Sequence, residues 1–440
     1  MMPAILRRSR RLRPRRPGKQ GRLWRWPAPV SQWISVLLAL CWIAVAWASP
    51  ALAQVGGVLR SGRLIARDGT PTAGRLEGLT GDRLQISGDS DQQFELSRVV
   101  RFELEGRQAR LRRDSPLVIL ANGDLLVAQV VRADEEQLSL RWEQLNGLRE
   151  FVVPLEAVRG LVLRQPAEGE LQRDLWRRLG KGEPGADELV LDNGDTLRGE
   201  LKGMTEREVR LEGENAPGQV SRKGVVAVLF NPELQDLPAL EGPGALVSLI
   251  DGSRFHARGL ELINSEVLQC QAVCGTLLEI PCAAVTSLQF LGHGIRPLSE
   301  IEPAEADFTP YLEDRWPWRR DRNCLGQPLQ LRGNSHATGL GVHSRQRLDY
   351  DLAGKAEGFL ATVGVDDSAR GRGAVEFVVL VDDQPAWKSG VVRGRDEPRA
   401  VPFVSLAGAR RLTLLVEFGP EANVLDHADW CDAVLIEKLR

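Results

Sequence analysis

From about residue 66 to residue 292 the chain alternates short apolar runs with turn-forming pairs, and this pattern recurs four times. "ARDGTPTAGRLEGL", "LANGDLLVAQVVRA", "LDNGDTLRGELKGM" and "LIDGSRFHARGLEL" each set Asp-Gly or Asn-Gly between two strand-like runs, with glycines at Gly69, Gly123, Gly194 and Gly252. Such a pair is a strong hairpin signal because both turn residues need positive φ. Each unit also closes alike, in "SRVVRFEL", "LEAVRGLVL", "KGVVAVLF" and "AAVTSLQF". There a valine precedes a hydrophobic residue by three: Val99 and Phe102, Val158 and Leu161, Val226 and Leu229, Val285 and Leu288. A further apolar strand, such as "QLSLRW" from Gln137, lies between turn and close. The pattern predicts β repeat units one and two over 54–165 and units three and four over 188–292, each a meander of about four strands. Spacing leaves open whether they are small barrels in a row or one stack; a meander this short has little core of its own, which favours small SH3-like or Sm-like barrels, fused in pairs or single. The connection at 166–187 carries "GELQRDLWRRLGKG", where Leu171, Leu175, Trp176 and Leu179 share one helical face; this predicts a helix dividing the repeats into pairs.

Prolines and acids in "GHGIRPLSEIEPAEADFTP" break the pattern, and residues 293–307 read as a linker. From 308 to 440 the periodicity is again that of strands. "RLDYDL" sets Leu348, Tyr350 and Leu352 against charge and reads as one-sided, whereas "VEFVVLV" is apolar on both faces, as a central strand is. About eight strands without a helix predict a sandwich or jelly roll. The fold class is all-β throughout.

The first 53 residues differ from the rest. A segment with ten Lys/Arg and no acid precedes the apolar run "ISVLLALCWIAVAWA" and then Ala51-Leu52-Ala53, the layout of a signal peptide. The expected protein is exported, to periplasm, cell envelope or medium, and touches a membrane only if the signal stays uncleaved as an anchor. Removing that segment leaves 47 basic residues against 59 acidic, a formal charge near −12. That excludes the basic footprint of a nucleic-acid binder. Export permits disulfides. Cys324 and Cys431 flank the first and last strands of the predicted sandwich and are the expected bridge, while Cys270, Cys274 and Cys282 lack a fourth zinc ligand.

Four ordered blocks in the C-terminal region carry a resemblance: "GLGVHSRQRLDYDL", "GFLATVGVDDSARGRGAVEFVVLVDDQ", "GARRLTLLVEFG" and "DHADWCDAVL". They resemble the carbohydrate-binding module associated with glycoside hydrolase family 98 and related to carbohydrate-binding module family 51. The resemblance covers residues 308 to 438 and not the repeats. It implies a galactose-binding-like β-sandwich jelly roll and, as partner, a glycan or polysaccharide.

Carried onto this chain, the resemblance makes His343, Asp366, Asp367, Asp426, His427 and Trp430 the candidate carbohydrate-binding residues. Aspartates accept paired sugar hydroxyls or ligate a hard cation; Asp429 and Asp432 are the candidate ligands of calcium, the one cofactor considered. A tryptophan offers a flat face to a pyranose or plugs a core, and here the adjoining apolar strand favours the core. The first half of "DHADWCDAVL" is expected to be a rim loop and its second half the closing strand. No G-x-S-x-G, H-E-x-x-H or phosphate loop occurs, and no catalytic role is expected. The leading expectation is a non-catalytic glycan binder whose repeats act as spacer or assembly surface. The alternative is a cell-envelope scaffold that binds protein partners and whose module no longer binds sugar.

Overall fold

The computed structural model describes residues 61–439 except 89, 143–148, 167–168, 182–183, 214–216, 265, 312–314 and 421. The expected signal peptide lies outside the described residues. The described residues form one compact unit.

The four turn glycines sit at φ of 79°, 96°, 87° and 91°, where a side chain would be strained. Their N–H groups make the same bond in every unit, to the carbonyls of Ala66, Leu120, Leu191 and Leu249 at 2.9–3.0 Å. Each unit then runs through a one-turn 3₁₀ segment (Leu96–Arg98, Leu155–Ala157, Arg222–Gly224, Cys282–Ala284) into its closing strand. Unit one has five strands rather than about four, because the short Gln92–Glu95 pairs with Arg83–Ser87. Its first strand, Ser61–Ala66, pairs with both the second (Pro71–Thr80) and the last (Val99–Leu104).

The closing strands also join the units. Val158–Val162 of unit two pairs with Val225–Leu229 of unit three, and Val285–Leu291 of unit four pairs with Val99–Leu104 of unit one, with Leu288 opposite Phe102. The pairs are therefore two with three and one with four, so the helix sits within a pair instead of between pairs. All four units contribute to one apolar core, which corrects the expectation of small barrels: the meanders bury their apolar faces against one another in one joined body.

Each pair has an outer apolar face, and the two are covered differently. Over units two and three lies the predicted helix, Gly169–Lys181, with Leu175, Trp176 and Leu179 against Leu117, Ile119 and Val226. Over units one and four lies the C-terminal sandwich, whose Leu360, Val434 and Ile436 pack on Ile65 and Val100. The segment expected to be a linker is part of this seam. Ile295–Pro297 pairs with Val434–Ile436, and Glu305–Phe308 pairs with Gln346–Asp349. Its "GIRP" and "EADF" strands are too short to show a period of two in the sequence.

The sandwich consists of two antiparallel sheets. One runs Arg319–Arg320, Gly339–His343, His427–Glu437, Ala356–Val365, Arg399–Ser405; the other runs Glu305–Phe308, Gln346–Asp351, Arg411–Phe418, Ala374–Val381, Gln384–Arg393. Between them lies a core of Tyr350, Phe359, Phe377, Leu414 and Trp430. The strand His427–Glu437 is central, paired on both sides, so most of "DHADWCDAVL" is strand and its first half is not a rim loop.

Candidate functional site

In the register of Gly339–His343 with His427–Glu437, His343 stands opposite His427 at one end of the sheet. That strand pair is close-packed. A Cβ at Gly341 would fall on the Arg322 carbonyl and Asn323, so this position admits only glycine. Trp316, from the segment before Arg319, stacks on the His343 ring at 4.6 Å and 12° and lies 5.7 Å from the His427 ring. The two imidazoles are 5.9 Å apart. Both are buried, at 2% and 3% exposure, whereas Trp316 is half-buried and forms part of the wall of a cleft of about 750 Å³.

Burial holds the histidines neutral. It pushes the His343 pKa down, against a weaker opposing bond to the Ser344 carbonyl. It pushes His427 to about 4, helped by the neighbouring His343. His343 Nδ1 lies 2.9 Å from the Ser344 carbonyl, so that nitrogen donates and Nε2 is left as the acceptor. Ser368 Oγ is 2.8 Å from His427 Nδ1. The result is a neutral aromatic surface with one half-exposed indole, suited to the C–H face of a pyranose.

The candidate carboxylates mostly brace this end of the sandwich. Asp366 accepts from Asn323 Nδ2, the Gln330 N–H and the Ser368 N–H at 2.8–2.9 Å and is 1% exposed. Asp367 accepts from the Arg332 and Gly333 N–H groups, fixing that turn. Asp426, fully buried, accepts from Ser344 Oγ at 2.5 Å and the Ala374 N–H at 3.0 Å. The oxygens of Asp366 and Asp426 are thus directed into the protein, contrary to the expectation that they would face a ligand, while those of the partly exposed Asp367 are spent on a turn. Trp430, 1% exposed and edge-on to Phe377 at 5.1 Å, is a core residue rather than a sugar platform.

Asp429 and Asp432 do not converge. Asp432 pairs with His336 at 2.8 Å, while Asp429 is fully buried beside Asp366 with no donor to either oxygen among the described residues. Burial raises the Asp429 pKa well above the usual carboxylate range, and the Asp366 charge adds to this; a protonated Asp429 donating to Asp366 relieves both. Among the described residues no three His, Cys, Asp or Glu side chains are placed to hold a metal ion. Cys324 and Cys431 are free thiols, which corrects the expected bridge: both are buried, and Cys431 is packed between Leu329 and Leu331 in its own apolar cluster.

Sequence reasoning brought His343 and His427 together and missed Trp316, Ser344 and Ser368. A signal for Trp316 was present in "RWPWRR", where a tryptophan beside proline stands outside any alternating strand.

The NPCBM/NEW2 domain profile matches residues 296–436, about a third of the chain. Alpha-1,3-galactosidase B of Akkermansia muciniphila is 33% identical over 117 residues, which are 26% of this chain and 15% of that protein. The chain thus spans a small part of the relative it matches. A module of family 51 from a Clostridium perfringens family 95 glycoside hydrolase, solved with methyl-galactose, is 28% identical. It covers 32% of this chain and 99% of its own, with a TM-score of 0.30. A second C. perfringens structure, the CBM51-2 and INT domains of ZmpB, is 20% identical over 41% of this chain and 40% of its own, with the same TM-score. The C-terminal sandwich thus carries, over residues 296–436, the match to the NPCBM/NEW2 domain, and it is there that the chain is similar to carbohydrate-binding modules.

Proposed function

We propose that this protein is an exported, non-catalytic glycan binder, and that the sugar stacks on Trp316 at the end of the sandwich where His343 and His427 meet. The observation that carries the reading is the half-exposed indole laid on a neutral imidazole, 4.6 Å away, within a module of a carbohydrate-binding family. A galactose-configured sugar is the favoured ligand, since the relative from A. muciniphila is named for action on an α-galactoside. The buried Asp366 and Asp426 accept hydrogen bonds that brace the fold, which supports a binding role over glycoside hydrolysis. The repeats, locked to the module through Ile65 and Val100, act as its platform and as an assembly surface for envelope partners.

Calorimetric titration of the full chain with an α-galactoside tests this. Removal of a stacked aromatic weakens sugar binding by about tenfold or more, so Trp316→Ala is expected to lose binding while its unfolding midpoint is kept. Equal affinity of wild type and Trp316→Ala contradicts the site.

A further inference from the structure

The cleft against Trp316 is lined from two directions. The helix Gly169–Lys181 presents Glu170, Arg173, Asp174 and Arg177, which recur at helical spacing on the face opposite Leu175, Trp176 and Leu179. The segment 315–325 presents Arg315, Trp316 and Arg319. Among the described residues, four arginines and two acids thus share a volume of about 750 Å³. One acid is already taken, since Asp174 is paired with Arg177. Among the described residues neither Arg173 nor Arg315 has an ion-pair partner, and Arg319 spends only its Nε, on the Cys324 carbonyl at 3.1 Å. The chain as a whole has no general cationic character, with 57 basic against 59 acidic residues, so this concentration is local.

The cleft is also held in shape. Its helix wall is pinned by the buried Leu175, Trp176 and Leu179. The Arg322 guanidinium lies 5.1 Å from the Trp176 ring centroid, tying the opposite wall to the helix. Guanidinium groups match the planar or trigonal oxygens of carboxylate and sulfate, and arginine keeps its charge at every relevant pH. Trp316 belongs to the ring cluster and to the cleft wall at once. A sugar stacked on it would therefore project its substituent toward Arg173, Arg315 and Arg319.

We infer that this cleft takes the anionic substituent, a uronate carboxylate or a sulfate ester, of an acidic glycan whose sugar ring lies on Trp316. The inference rests on the proposed sugar site and adds the chemical class of its ligand. It also gives the helix a part in recognition, which the sandwich alone cannot supply.

The test titrates the full chain with a sulfated galactan, its desulfated form, an oligogalacturonate and an oligoglutamate. At low salt the acidic glycans are expected to bind about tenfold more tightly than the neutral one, a preference that fades when salt shortens the screening length. Arg173→Gln/Arg315→Gln, at two exposed positions, is expected to abolish most of the preference and keep neutral binding; near-native circular dichroism verifies its fold. The sulfate and uronate arms identify which anion is preferred. Equal binding of sulfated and desulfated galactan, with oligogalacturonate no tighter, overturns the acidic class but leaves the sugar site standing. Binding of no glycan overturns both. A preference unaffected by the double substitution, or oligoglutamate matching the acidic glycans, also overturns it, the latter in favour of an acidic peptide.

Discussion

His427 makes the stability of this module depend on pH in a calculable way. Its folded pKa is about 4, set first by burial and then by His343. In the unfolded chain a histidine titrates near 6.5. Above that pH neither state holds the proton. As pH falls, the unfolded chain binds it first, so the folded state loses stability until the folded group also titrates near pH 4. At 1.36 kcal/mol per unit the full loss is about 3.4 kcal/mol, and about 2 of it falls between pH 7 and pH 5. His343, shifted downward by burial, acts in the same direction and the raised Asp429 in the opposite one, so the informative quantity is a difference. Urea unfolding of wild type and His427→Gln at pH 7 and pH 5 supplies it. The wild type is expected to lose about 2 kcal/mol more than the variant over that interval. Parallel losses in the two proteins refute the account of a neutral, buried His427.

Asp429 has the opposite sign: its raised folded pKa makes it most favourable at low pH and costly as pH rises. Asp429→Asn, which keeps the shape and removes the ionisable group, is therefore expected to stabilise the fold more at pH 7 than near pH 3. Destabilisation at pH 7 would show instead that the charge is needed. Ile436→Ala empties part of the seam between sandwich and repeats and is expected to cost about 2 to 5 kcal/mol, against almost nothing for Leu277→Ala at 62% exposure. Equal midpoints for these two variants in thermal unfolding would mean that the seam does not stabilise the fold. Burial pushes the thiols of Cys324 and Cys431 well above their usual pKa. Both are expected to resist a thiol reagent natively and to react without reductant once unfolded; failure to react in denaturant would restore the disulfide.

Much of the fold was legible because its signals are local. The Asp-Gly and Asn-Gly pairs force positive φ at Gly69, Gly123, Gly194 and Gly252, and each hairpin closes within a few residues. The helix announced itself through Leu175, Trp176 and Leu179 at one spacing. Pairing between units was not legible, since Leu288 meets Phe102 across nearly the whole repeat region and any closing strand could accept any other. The site was half legible for a related reason. His343 and His427 stood out as rare residues in ordered blocks, and their register places them together. The aspartates misled because a carboxylate that binds a sugar and one that accepts backbone N–H groups are the same letter. Asp366 and Asp367 satisfy loop donors of the segment 323–333, a partner no local pattern names.

The central claim is that a sugar rests on Trp316 beside His343 and His427. A crystal structure of the chain soaked with an α-galactoside tests it most directly. The account predicts the pyranose face on the Trp316 indole with its substituents toward the cleft formed with the helix; a galactoside bound elsewhere on the sandwich, with Trp316 untouched, would contradict it.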